Sequence, residues 1–109
     1  MFLWLHRAAR APWRDRRSIR SFRDVETKAI FEQRRVKRFR GFDRAALRRL
    51  VQIDSAEELR DLAPMGVDQA DQTGARSVPI DKRDPQRRVW FRWRDGDAFD
   101  VGIGRLRES

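Results

Sequence analysis

Apolar residues recur along this chain with two different periods, and the change from one to the other organises the sequence. Near the start, residues 18–22 alternate, with Ile19 and Phe22 flanking Arg20 and Ser21, which predicts a short first strand. Asp24 then stands where a helix N-cap belongs, and Val25, Ala29, Ile30 and Phe31 fall on the inward side of a short helix. The basic stretch RRVKRFR at 34–40 closes at Gly41. Asp43 is placed to cap a second helix with Ala46, Leu47, Leu50, Val51 and Ile53 as its apolar face, while Arg44, Arg48 and Arg49 point elsewhere. SAEE at 55–58 has the form of a capping box, so a further turn is expected over 59–62, stopped by Pro64 and Gly66.

Residues 67–75 (VDQADQTGA) carry little periodicity and read as a loop or an irregular strand pair. The period then becomes two. A strand is expected over 76–81, with Lys82 and Arg83 in its turn. Val89, Phe91 and Trp93 alternate with Arg88, Trp90, Arg92 and Arg94, and Phe99, Val101 and Ile103 follow at two-residue spacing. Asp95-Gly96 between these runs marks a hairpin, because both central residues of a type I′ turn need positive φ. The fold class expected is α+β: two to three N-terminal helices packed on one face of a mostly antiparallel sheet of four to five strands. Residues 1–17 differ from the rest, being dominated by Ala and Arg with a Pro at 12, and read as a basic extension outside a domain spanning 18–109.

The 109 residues carry 26 Lys and Arg against 17 Asp and Glu, a formal net charge of +9, with 39% hydrophobic residues. That is one small domain with a thin core. The excess is arginine, since Lys occurs only at Lys28, Lys37 and Lys82. A guanidinium fork pairs bidentately with phosphate, which makes a polyanion the natural partner. Without cysteine the chain has no thiolate ligand or thiol nucleophile, and its one histidine, His6, lies in the extension and reads as an exposed arm residue. No cofactor is expected. The most apolar start, residues 1–5, is closed by His6 and Arg7, far short of the roughly 18 to 20 residues that cross a bilayer, so a cytoplasmic protein without a membrane partner is expected.

Candidate chemistry lies on the strands. Residues two apart share a face, so Arg88, Arg92 and Arg94 can line one surface with Trp90 among them, while Arg76, Lys82, Arg83 and Arg87 add charge nearby. Such a surface holds a phosphodiester chain while an aromatic ring stacks a base, each stack being worth roughly 1–3 kcal/mol. The same alternation also describes the solvated face of a half-buried sheet. Asp95, Asp97 and Asp100 are close enough in sequence to suggest a hard cation, but Asp at a hairpin turn serves the backbone and the neighbouring arginines compete, so no metal site is expected.

SIRSF at 18–22, KAIFE at 28–32, the Arg- and Leu-rich helix ending in Asp54, EELRDL at 57–62 and above all FRWRDGDAFDV at 91–101 resemble HigB-type toxins of the RelE/ParE superfamily. The resemblance covers residues 18–103. It implies the toxin component of a type II toxin-antitoxin system: a small basic endoribonuclease that cuts mRNA on the ribosome without a metal and is silenced by a cognate helix-turn-helix antitoxin. It matches Arg88 to the arginine at the scissile phosphate, and the basic face then assigns Arg76 and Lys82 to neighbouring phosphates and Arg107 to the mouth of the site. Arg92 and Arg94 join the RNA-binding surface, with Trp90 stacking a base. Some positions depart from the family. DQADQTG at 68–74 keeps Asp71 and Gly74 but has Gln69 and Gln72 where Lys and Arg are expected; RRV at 87–89 replaces Trp-Arg-Ile; residues 82–85 look like an insertion; and Leu106-Arg107 stands in place of a terminal Tyr-His. Loss of a general acid costs about two to four orders of magnitude in rate. A slow nuclease is therefore implied, with two alternatives: a catalytically degenerate homologue that only binds an antitoxin, and a ParE-like gyrase inhibitor.

Overall fold

The structure is a computed structural model and describes residues 17–106; of the expected extension only Arg17 falls within it, and Arg107 lies outside. Helix α1 (Val25–Phe31) begins at Asp24, whose Oδ1 accepts from the Thr27 backbone N–H at 2.7 Å, as the cap position predicts. Seven residues cannot hold a helix alone, so α1 depends on burying Thr27 and Ile30. Its inward face is not quite the expected one, since Val25 is 80% exposed. A single 3₁₀ turn (Lys37–Phe39) buries Phe39 and leads to α2 (Asp43–Ser55). Phe42, not Asp43, is the N-cap of α2, and its buried residues are Ala46, Leu50 and Ile53. Val51, expected on that face, is 47% exposed. The capping box sits three residues later than expected: Ser55 ends α2, with its hydroxyl donated back to the Val51 carbonyl, and Asp61 accepts from the Glu57 and Glu58 amides at the start of a 3₁₀ helix (Leu59–Met65). That helix contains Pro64 and ends at Gly66, whose φ is +83°.

Strands β1 (Ala75–Asp81), β2 (Asp84–Arg94) and β3 (Asp97–Arg105) form one antiparallel sheet in the order β1-β2-β3. The fold is α+β, but the sheet has three strands rather than four or five, and the helical elements reach the middle of the chain, to Met65, instead of clustering at its N-terminal end. The reason lies at Asp100. Trp90 pairs with Gly102 and Arg92 with Phe99, so Asp100 and Val101 together face Phe91 in a bulge, and Asp100 takes φ +54°. Residues 18–23 run parallel to β3, but the bulge interrupts their ladder, leaving two isolated bridges, Ile19 with Ala98 and Phe22 with Val101. Residues 67–74 form no strand.

One face of the sheet carries the core. Val78, Val89 and Ile103 lie in register across the three strands, joined by Ile80, Phe91, Ala98 and Val101, and the helical layer covers them with Ile30, Leu50, Ile53 and Leu62. Both edges of the sheet are occupied. On the β1 side the Ala75, Ser77 and Pro79 carbonyls accept from Asp71 N, Asp68 N and Arg49 Nε. On the β3 side the Ala98 and Val101 backbone is bonded to residues 18–23. Among the described residues no helix is long and apolar enough to cross a membrane.

Candidate nucleic-acid interface

The second face of the sheet is left open by the helices. Because paired residues share a face, register places Ala75, Arg92 and Phe99 there in one row, and Ser77, Trp90 and Gly102 in the next. Small residues therefore flank the Trp90 indole on both sides, at Ser77 and Gly102. The result is a cleft of about 450 Å³ lined by Trp90 and Arg92, by Asp71 and Thr73 from the loop before β1, and by Arg23 and Arg105 from the β3 side. Its size is within the roughly 300–1,000 Å³ of small-ligand sites.

Arg23 reaches the cleft because position 102 is glycine. A Cβ there would lie 2.5 Å from its Nε and 2.9 Å from its Nη2, so any side chain would collide with the guanidinium. Nη2 donates to the Ile103 carbonyl at 3.2 Å, and Nε lies 3.8 Å from Asp24. Arg92 faces Asp100 at a long 3.7 Å, both side chains being more than half exposed. Such pairs are weak and leave a guanidinium open to exchange partners. Asp71 is committed to its own loop: Oδ1 accepts from the Thr73 hydroxyl at 2.6 Å and from the Thr73 and Ala75 amides at 2.7 and 3.0 Å. The Thr73 hydroxyl above all, then the Ala75 and Thr73 amides, hold its carboxyl below the usual carboxylate range.

Of the residues expected to form the site, Trp90, Arg92 and Arg94 share the open face. Arg94 lies beyond the cleft, its guanidinium 5.0 Å from the Phe99 ring centroid. Arg88 is on this face too, but it is only 6% exposed. Its Nε donates to Ser77 Oγ at 2.6 Å, Nη1 to the Pro85 carbonyl at 2.8 Å and Nη2 to the Ser77 carbonyl at 3.4 Å, with Asp68 Oδ2 3.0 Å from Nη2. The guanidinium thus fastens the loop before β1 to the sheet, and its donors point at protein atoms. Arg76 is in register with Phe91, on the helix-covered side, and does not share a surface with Arg92. Lys82 sits in the β1–β2 turn, roughly 25–30 Å of strand away from Arg92. Arg107 lies outside the described residues.

The three hairpin carboxylates do not converge. Asp97 pairs with Arg20 at 3.2 Å, Asp100 faces Arg92, and Asp95 occupies the turn with φ +51°. Among the described residues no three carboxylates or imidazoles gather to hold a metal ion. Sequence periodicity missed Arg23 and Arg105. A glycine inside a strand signals close approach of another group, and Gly102 was the one available pointer to Arg23. A scan against protein-family models finds none that matches the chain, and no curated protein matches it either.

Proposed function

We propose that this protein is a HigB-like toxin of a type II toxin-antitoxin pair that binds mRNA on the open sheet face and cleaves it slowly. The observation that carries the reading is the placement of Trp90 beside Arg92, Arg23 and Arg105 in one solvent-facing cleft. An indole stacks any base, and guanidiniums neutralise the flanking phosphates, so the combination suits an RNA strand. Cleavage without a metal uses the RNA's own 2′-hydroxyl: its oxygen attacks the adjacent phosphorus, the P–O5′ bond breaks, the leaving 5′-oxygen takes a proton from water, and a 2′,3′-cyclic phosphate results. Arginines stabilise the dianionic transition state, and a base must take the hydroxyl proton. Asp71 is a carboxylate lining the cleft, but its Oδ1 is held by Thr73 and Ala75 of its own loop, which makes it a poor base and accords with a slow reaction.

A second reading, a degenerate toxin that keeps antitoxin binding, is favoured by Arg88. The residue that the family resemblance assigns to the scissile phosphate spends its donors on Ser77, Pro85 and Asp68. Inducible expression with and without the adjacent reading frame, followed by mapping of RNA 5′ ends, separates the two. New ends within coding sequences that vanish when the neighbour is co-expressed support cleavage. Co-purification with the neighbouring product and no new ends supports the degenerate reading. Absence of both RNA affinity and a co-purifying partner overturns the proposal.

A further inference from the structure

Resting on RNA binding at the open face, we infer that the cleft takes a single unstacked nucleotide, with its base on Trp90 and its two phosphates divided between Arg92 and Arg23, and that Gly102 is the positioning residue that puts Arg23 there. Three observations meet at this point. The indole has a small residue on each side in its row, Ser77 and Gly102, and the space above them is taken by guanidiniums, that of Arg88 on Ser77 and that of Arg23 over Gly102. Arg92 and Arg23 line the same cleft from different chain segments, one on the central strand and one in the approach to α1. The ion pairs of both are long, 3.7 Å from Arg92 to Asp100 and 3.8 Å from Arg23 to Asp24, and Arg23 spends one further donor on the Ile103 carbonyl, so a phosphate displaces only a weak ion pair at each when it binds.

The ligand class follows from the shape. A base inside a duplex is stacked above and below and offers no free π-face, whereas an unpaired nucleotide offers one with a phosphate at either end. The cleft, about 450 Å³, has room for one such unit. Arg23 is held at its place by its bond to the Ile103 carbonyl and by the absence of a side chain at position 102. Gly102 contributes no contact to the ligand; it acts through Arg23.

The test measures binding of a fluorescein-labelled single-stranded RNA decamer, and of the same decamer annealed to its complement, to the full chain and four variants. The wild type is expected to bind the single strand at least tenfold more tightly than the duplex. Trp90→Ala and Arg92→Ala should each weaken single-strand binding roughly tenfold. Arg23→Ala should weaken it roughly fivefold to tenfold and reduce the slope of log K against log salt by about 0.7, the amount for one phosphate contact on a single strand, which a merely structural role would not change. The nearest atoms that a Cβ at position 102 meets belong to the flexible end of Arg23, so Gly102→Ala should fold and reproduce the Arg23→Ala loss. Combined with Arg23→Ala, it should add nothing further. If Trp90→Ala and Arg92→Ala lose affinity while Arg23→Ala keeps both affinity and slope, the role of Arg23 is overturned and RNA binding at the face survives. If the wild type binds neither RNA, the underlying reading falls as well. Equal affinity for strand and duplex overturns the single-nucleotide ligand alone.

Discussion

Arg88→Ala should be a stability variant before it is anything else. The side chain is 6% exposed and gives three hydrogen bonds, two of them to Ser77, which is itself fully buried. Truncation removes the donor to the Ser77 hydroxyl in a buried place and leaves that hydroxyl only a long 3.5 Å bond to Asp68, a cost of about 1–3 kcal/mol. Loss of the charged donor to the Ser77 carbonyl and of the packing of the aliphatic stem adds about 1 kcal/mol. Asp68 is 54% exposed and rehydrates, so the ion pair itself contributes little. The total is about 3 kcal/mol, a drop in Tm of roughly 12 °C or more for a domain of this size. Arg88→Lys keeps the charge but not the fork and should lose about half as much. Thermal and urea unfolding, run beside RNA binding of the folded fraction, check this. An Arg88→Ala protein with unchanged Tm and a selective loss of RNA affinity would refute the reasoning, because the guanidinium would then be facing a ligand and not its neighbours.

Three further outcomes are expected. Single-stranded RNA affinity should fall about sevenfold between 50 and 200 mM salt, the response for two phosphates met by Arg23 and Arg92, as titrations at four salt concentrations would measure. Asp61, Asp71 and Asp81 all have carboxyl pKa values lowered in the folded state, mainly by hydrogen bonds from Glu58 N, Thr73 Oγ1 and Arg83 N respectively. Their contribution to stability is complete above the ordinary carboxylate pKa and is lost as pH falls through the lowered values; urea midpoints should therefore hold from about pH 7 to 5 and decline below about pH 4, and Asp71→Asn should flatten that decline. Gly96→Ala places a side chain at φ +83° with its Cβ 3.4 Å from the Glu57 carbonyl, and should cost about 1–2 kcal/mol in urea unfolding without touching the cleft.

Legibility in the sequence followed the range of the interactions involved. The Asp95-Gly96 hairpin was readable because its signal is local: both residues take positive φ, as a type I′ turn demands, at +51° and +83°. The Asp24 cap was readable for the same reason. Period-two reading failed inside β3, where it groups Phe99 with Val101 and Ile103. The bulge at Asp100 adds one residue and turns the strand over, so that Ala98 is fully buried and Phe99 lies on the open face beneath Arg94. No propensity announces that bulge, which is supported from outside the strand by the Ser21 hydroxyl accepting from Asp100 N. The same limit applies to the site. Trp90 and Arg92 could be put together by alternation along one strand. Arg76 could not be placed without the β1–β2 register, and Arg23 enters through a contact across 79 positions, whose only trace in the sequence is a glycine.

The closed sheet edges restrict how another protein can take hold of this one. With Pro79 lacking an N–H, the Ala75, Ser77 and Pro79 carbonyls already satisfied, and β3 lined by residues 18–23, both edges are covered among the described residues against a visiting segment. A protein that binds this domain would therefore grip side chains on the two broad surfaces rather than be spliced in through the main chain. The same closure removes the commonest route by which small sheets recruit copies of themselves into fibrils.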